Sequence, residues 1–137
     1  MNRKDFQALA VTRLSEAKVL RRGGHYSGAY YLAGYVVECA LKACISKQTR
    51  RHDFPDKKRV ADSWSHNLTQ LVNIAGLKPT LDAEINADPR FADNWNAVKD
   101  WDEQSRYGNT SQSDAEELIR AISDRKNGVL KWLRRHW

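Results

Sequence analysis

Cysteine and proline are scarce in this 137-residue chain, at two and three copies, and there are seven glycines. No stretch approaches the roughly 20 apolar residues of a membrane span. Cys39 and Cys44 stand five apart, which on a helix sets them about 140° from each other around the axis. That placement suits neither a disulfide nor a metal site and predicts two buried thiols. A glycine-rich phosphate loop, a zinc-type Cys/His grouping, HExxH and GxSxG are all missing, which removes the support for P-loop hydrolysis and for the common metallo- and serine-hydrolase chemistries. Nothing in these patterns calls for a cofactor or a metal. The Met1-Asn2-Arg3-Lys4-Asp5 start leads into an amphipathic pattern rather than a signal-peptide core, so a cytoplasmic protein without a membrane role is expected.

What is present is a chain of 41% hydrophobic and 29% charged residues, with five Trp and five Tyr. That is enough apolar surface for one sizeable core, and the length fits a single domain over residues 1–137. The net charge of +6 is unevenly spread. Residues 1–60 hold 13 basic against 5 acidic residues, residues 61–117 hold 4 against 11, and residues 118–137 hold 6 against 1. Such blocks either neutralise one another across the fold or present basic surface, above all in 47–59 and 125–135, to a phosphate-bearing partner such as RNA.

The long intervals between breakers carry helical periodicity, which predicts an all-α, up-and-down four-helix bundle with one or two short extra helices. A first helix spans about Arg3–Arg22, with Phe6, Ala10, Leu14, Ala17 and Leu20 facing inward, and Gly23-Gly24 ends it. A second, about His25–Gln48, is apolar on nearly three sides and therefore central. Its remaining sector carries Tyr31, Tyr35, Glu38 and Lys42, while Ala29, Ala33 and Ala40 form a small-residue ridge that admits a neighbouring helix. A basic loop is expected over 47–59, broken at Pro55, then a helix from about Ser65-His66 to Gly76 and a short element over 77–87. A fourth long helix is predicted from Pro89 to near Tyr107, with Phe91, Trp95, Val98 and Trp101 on one face. A last helix from Ser113, with a Ser113–Glu116 capping box, is predicted to reach the C-terminus, with Gly128 as a weak point.

Several side chains are candidates for chemistry. Glu38, set among apolar residues, either orients a cation or accepts a proton, or simply pairs with Lys42 four residues on. Arg106, next to Tyr107, either binds a phosphate or forms a surface pair with Asp102. His66 is a candidate general base or a structural donor at a helix start. Tyr31 and Tyr35, on the polar sector, form a contact pair facing a crevice, another subunit or solvent, whereas Tyr30, Trp95, Trp101 and Trp132 read as core. His52 and His136 lie in basic surroundings suited to phosphate or to plain solvation.

The run Tyr30-Tyr31-Leu32-Ala33-Gly34-Tyr35-Val36-Val37-Glu38-Cys39-Ala40-Leu41-Lys42-Ala43 resembles the second-helix motif of HEPN-domain proteins. Arg13-Leu14-Ser15-Glu16-Ala17 before it follows the same order, as do Ser65-His66-Asn67-Leu68, Ala75-Gly76-Leu77 and Trp101 through Arg106-Tyr107 after it. The resemblance covers nearly the whole chain. It implies a helical bundle that commonly dimerises, and in many members a metal-independent ribonuclease of toxin–antitoxin or defence type marked by an Arg, a gap of four to six residues and a His. Arg106 is the matching arginine, but positions 111 to 113 read Ser-Gln-Ser. Arg59 and His66 have the right gap in the wrong part of the fold. Many members of the tyrosine-bearing type are instead partners of minimal nucleotidyltransferases, and some HEPN domains bind nucleotides. The resemblance thus implies a homodimer that binds RNA or nucleotide phosphate through Tyr31, Tyr35, Glu38 and Arg106. The alternatives are a diverged ribonuclease using Arg106 with Tyr107 or His66, and a purely structural dimer.

Overall fold

A computed structural model describes residues 1–48 and 57–137. Among them it forms eight α-helices and one 3-10 helix, with no strand. Of the expected basic loop, positions 49–56, His52 among them, lie outside the described residues, as does the side chain of Arg59.

Helix α1 (Arg3–Arg22) opens on a reciprocal cap in which the Asn2 side chain accepts from the Asp5 N–H and the Asp5 carboxylate accepts from the Asn2 N–H. It ends where Gly24 adopts φ +80°, a conformation that costs glycine little, and the His25 N–H reaches back to the Leu20 carbonyl. The chain reverses there into α2 (Tyr26–Gln48), which lies along α1. The expected small-residue ridge is fully buried at Ala29, Ala33 and Ala40. Helix α2 is central, as predicted: α1, α7, α8, α4 and the 3-10 helix all pack against it. Both of its cysteines are free, and burial pushes each thiol up to about 12.

Short helices follow. These are α3 (Lys57–Asp62), α4 (Leu68–Ile74), α5 (Lys78–Ala87) and α6 (Pro89–Val98), then the 3-10 helix Glu103–Tyr107, α7 (Gln112–Ser123) and α8 (Val129–Arg134). Three boundaries differ from the sequence expectation, each for a local reason. Helix α4 starts two residues after His66, because the Asn67 side chain accepts from the Gln70 N–H and caps it. The expected fourth long helix stops at Val98: Asp102 adopts extended backbone and its carboxylate accepts from the Gln104 N–H at 2.7 Å, which starts the 3-10 helix instead. The expected last helix is capped by Ser111 rather than Ser113 and breaks over residues 124–128. There Asp124 accepts from the N–H groups of Lys126 and Asn127, and a Cβ on Gly128 would stand 2.4 Å from the Asp124 carbonyl. The four long helices anticipated are therefore two long helices and a set of shorter ones.

A polar tie closes the far side of the core. Asp88 caps α6 by accepting from the Arg90 and Phe91 N–H groups, and its other oxygen accepts from the Asn127 side chain at 2.6 Å. The Asn127 side chain foremost, with the capped backbone amides, holds the Asp88 carboxyl below its usual range. The buried Asn94 donates to the Asn127 carbonyl and accepts from Arg120.

Helix α2 and the segment after α6 pack tightly at Gly34. A Cβ there would fall 2.1 Å from the indole ring of Trp101, itself 2% exposed. A glycine inside a helix costs about 1 kcal/mol against alanine, and this contact is the reason it is there. Gly34→Ala is therefore expected to destabilise the protein by about 1–3 kcal/mol, as an overpacked core site does. Urea unfolding followed by circular dichroism reads the loss; an unchanged or raised stability would contradict this packing.

Candidate functional site

The polar sector of α2 is not open along its length. At its C-terminal end Glu38 is 1% exposed. Its Oε1 lies 2.8 Å from Nδ1 of His66, and its Oε2 accepts from Nζ of Lys42 at 3.3 Å. On its other side His66 presents Nε2 to Oε2 of Glu103 at 3.3 Å. The predicted Glu38–Lys42 pair is present. Glu38 is enclosed by Lys42, His66 and apolar neighbours, so its carboxylate presents almost no surface to solvent. A carboxylate taken out of water is costly unless paired and hydrogen-bonded, and His66 supplies the shorter of its two contacts. His66 is a link between α2 and the 3-10 helix rather than a histidine at a helix start.

The N-terminal half of the sector holds the aromatic residues. Tyr31 and Tyr35 stack with ring centroids 6.4 Å apart, and Tyr31 lies 6.1 Å from the Trp101 ring. Both tyrosines are half-buried. Burial, aided by Cys39 and Glu38, raises the Tyr35 phenol above its ordinary range. Tyr30, on the flank of α2, is raised by burial and then by Asp114, Asp102 and Asp100, which mark an acidic surface beside the start of α7.

Arg106 and Tyr107 close this end. The Arg106 guanidinium lies 4.7 Å from the centre of the Tyr107 ring, and Tyr107 is 73% exposed. Tyr107 first, and Tyr31 less strongly, hold the Arg106 guanidinium further above its already high range. The surface pair with Asp102 does not form: Asp102 is occupied in capping the 3-10 helix, and among the described residues no carboxylate comes within ion-pair distance of Arg106. In a 3-10 helix, residues three apart lie on one face. Glu103, which holds His66, and Arg106 therefore share a face, and the site candidates from α2, from the segment before α4 and from the 3-10 helix converge around one short turn.

Two buried polar atoms of this segment, Trp101 Nε1 and Ser105 Oγ, have no hydrogen-bond partner among the described residues. Glu103 and Trp64, which is 77% exposed two residues before His66, are features that the sequence reading missed. Glu103 carried no local signal, whereas a mid-helix glycine in Tyr31-Leu32-Ala33-Gly34-Tyr35 does signal a close approach. Among the described residues no three His, Cys, Asp or Glu side chains are grouped to hold a metal ion, and no helix is long and apolar enough to cross a membrane.

Comparison with protein-family models gives a match to the HEPN domain over residues 6–136. The chain belongs to the HEPN domain family. The match spans both long helices, the 3-10 turn and α8, so the Arg106 turn lies within the HEPN fold rather than on an appendage. No curated protein and no solved structure matches the chain. Membership in HEPN supports a nucleotide- or RNA-related role in general, and HEPN domains often dimerise.

The buried carboxylate gives a stability prediction. His66→Ala removes the shorter contact of Glu38 and is expected to cost about 2 kcal/mol, the lower end for a hydrogen bond to a charged group because His66 is half-exposed. Lys42→Met, which keeps an unbranched stem, is expected to cost less than half of that. Chemical denaturation of the two variants checks the order; equal losses, or none from His66→Ala, would show that Glu38 does not depend on the histidine.

Proposed function

We propose that this HEPN domain is the RNA- or nucleotide-phosphate-binding component of a toxin–antitoxin pair linked to a minimal nucleotidyltransferase, acting as a homodimer. The observation that carries the ligand part of the reading is the Arg106 side chain, which has no carboxylate partner among the described residues, lies over the Tyr107 ring and neighbours Tyr31, itself stacked with Tyr35. A guanidinium presents a fork of donors that matches a phosphate bidentately, and tyrosine rings offer faces on which a base stacks. In this reading Arg106 takes the phosphate, Tyr107 and the Tyr31–Tyr35 pair line the base or ribose, and Glu38 and His66 hold the turn in place without touching the ligand. The association with a nucleotidyltransferase and the homodimer rest on the family resemblance.

The diverged-ribonuclease reading has less support. His66 lacks a ring nitrogen free of a carboxylate, so abstracting a 2′-hydroxyl proton would require Glu103 to move away first.

Titration calorimetry with 5′-UMP and with a short oligouridylate tests the binding reading on the metal-free protein. Arg106→Ala is expected to weaken both by at least about tenfold, equivalent to about 1.4 kcal/mol, with an unchanged circular dichroism spectrum. Equal affinity of wild type and variant would overturn the assignment of Arg106, and cleavage of the oligonucleotide that disappears in Arg106→Ala would replace binding with catalysis. Co-purification of the chain with the product of the adjacent reading frame tests the partner.

A further inference from the structure

The basic blocks at the two ends of the sequence meet in space on the side of α1 that faces α7 and α8. A groove of about 260 Å³ runs there; Leu14 of α1, half-buried, forms its accessible floor, and Ile122 of α7 and Leu130 of α8, almost wholly buried, also line it. Lys18, Arg125, Lys131 and Arg134 border it, and Arg134 is steadied at 5.4 Å over the Trp137 ring. Among the described residues, none of these four cations has a carboxylate within ion-pair distance. The one acidic residue of the groove, Asp124, is already engaged by two backbone N–H groups and is held below its usual range by them. Among the described residues no carboxylate of the acidic block lines this groove or pairs with its four cations.

Two features decide what fits. The apolar floor continues along α1: Val11, 46% exposed, stands one turn before Leu14 and two turns before Lys18, so the three form one stripe about 10 Å long. No residue lining the groove is aromatic. A nucleic-acid strand needs cations and gains from rings on which to stack, and it makes little use of a floor of aliphatic side chains. A helix that carries leucine-like side chains at i, i+3, i+4 and i+7 and carboxylates on its flanks uses both the floor and the rim.

We propose that the groove between α1, α7 and α8 docks an acidic amphipathic helix of a partner protein. Val11 and Leu14 take the apolar face of that helix, and Lys18, Arg125, Lys131 and Arg134 pair with its flanking carboxylates. This docking site is separate from the Arg106 turn and does not depend on the ligand assigned there.

The test uses the full chain and a fluorescein-labelled synthetic helix of about 14 residues, with leucine at i, i+3, i+4 and i+7 and glutamate at most other positions, followed by anisotropy. Binding is expected, weakened at least about tenfold by Lys18→Glu combined with Lys131→Glu, and to a similar degree when serine replaces the peptide leucines. Arg125→Glu, at an exposed turn position, is a second variant for use if the double variant fails to fold. Excess 5′-UMP is expected to leave the peptide bound, so the nucleotide reading can fail without affecting this one. The proposal is overturned if the serine peptide binds as tightly as the leucine peptide, if oligouridylate displaces the peptide at comparable concentration, if the charge-reversed variants bind unchanged, or if the peptide does not bind.

Discussion

The indole of Trp101 lies directly on the backbone of Gly34, and the position of the Arg106 turn depends on that contact. Helix α6 ends three residues before Trp101, and the chain then has only the short 3-10 helix with which to reach α7. Five residues of 3-10 helix, with weaker hydrogen-bond geometry than an α-helix, do not hold a fixed place by themselves. Burying the Trp101 ring on α2 fixes where that turn begins, and Tyr31 covers the ring from the side on which Arg106 emerges. A side chain at position 34 would lift the indole and carry the turn with it.

A second, polar restraint acts on the same turn. Glu38 is buried among the apolar residues of α2, and its charge is tolerated because Lys42 and His66 approach it from two directions. His66 in turn reaches Glu103, the first residue of the 3-10 helix. One end of the turn is thus fixed by apolar packing and its first residue by a polar chain that starts inside the core. The two restraints differ in kind: packing against Gly34 resists any change of volume, whereas the Glu38–His66–Glu103 chain depends on polar groups meeting at hydrogen-bonding distance. Between them they leave Arg106 and Tyr107 exposed on a fixed base, which is what a binding site at a loop requires.

Much of the fold was legible in the sequence where local chemistry decides it. Helix α1 and the turn into α2 follow from Gly23-Gly24 and from an apolar repeat at three- and four-residue steps. The centrality of α2 follows from a helix with only one polar sector. The reading failed where a side chain overrides periodicity. Phe91, Trp95, Val98 and Trp101 fit one helical face, yet Asp102 ends that run by capping the next element. Ser111 and Ser113 both stand ahead of the apolar run of α7, and only the geometry chooses the first. The candidate site was half legible. Tyr31, Tyr35, Glu38, His66 and Arg106 could each be singled out by type and setting, but Glu38 and His66, 28 positions apart, carried no sign that they pair. Glu103 was invisible, since its role exists only once α4 and the 3-10 helix are brought together on α2.

The central claim is that Arg106, seated through Trp101 on α2, is where a nucleotide phosphate binds. Titrating the isotope-labelled protein with 5′-UMP while recording the Nε–H resonance of Arg106 and the indole N–H resonance of Trp101 tests it most directly. Both resonances are predicted to move together and saturate along one binding curve, while the side-chain amide of Asn94, buried on the far side of the core, stays still. Saturating shifts that leave Arg106 and Trp101 unmoved would contradict the account.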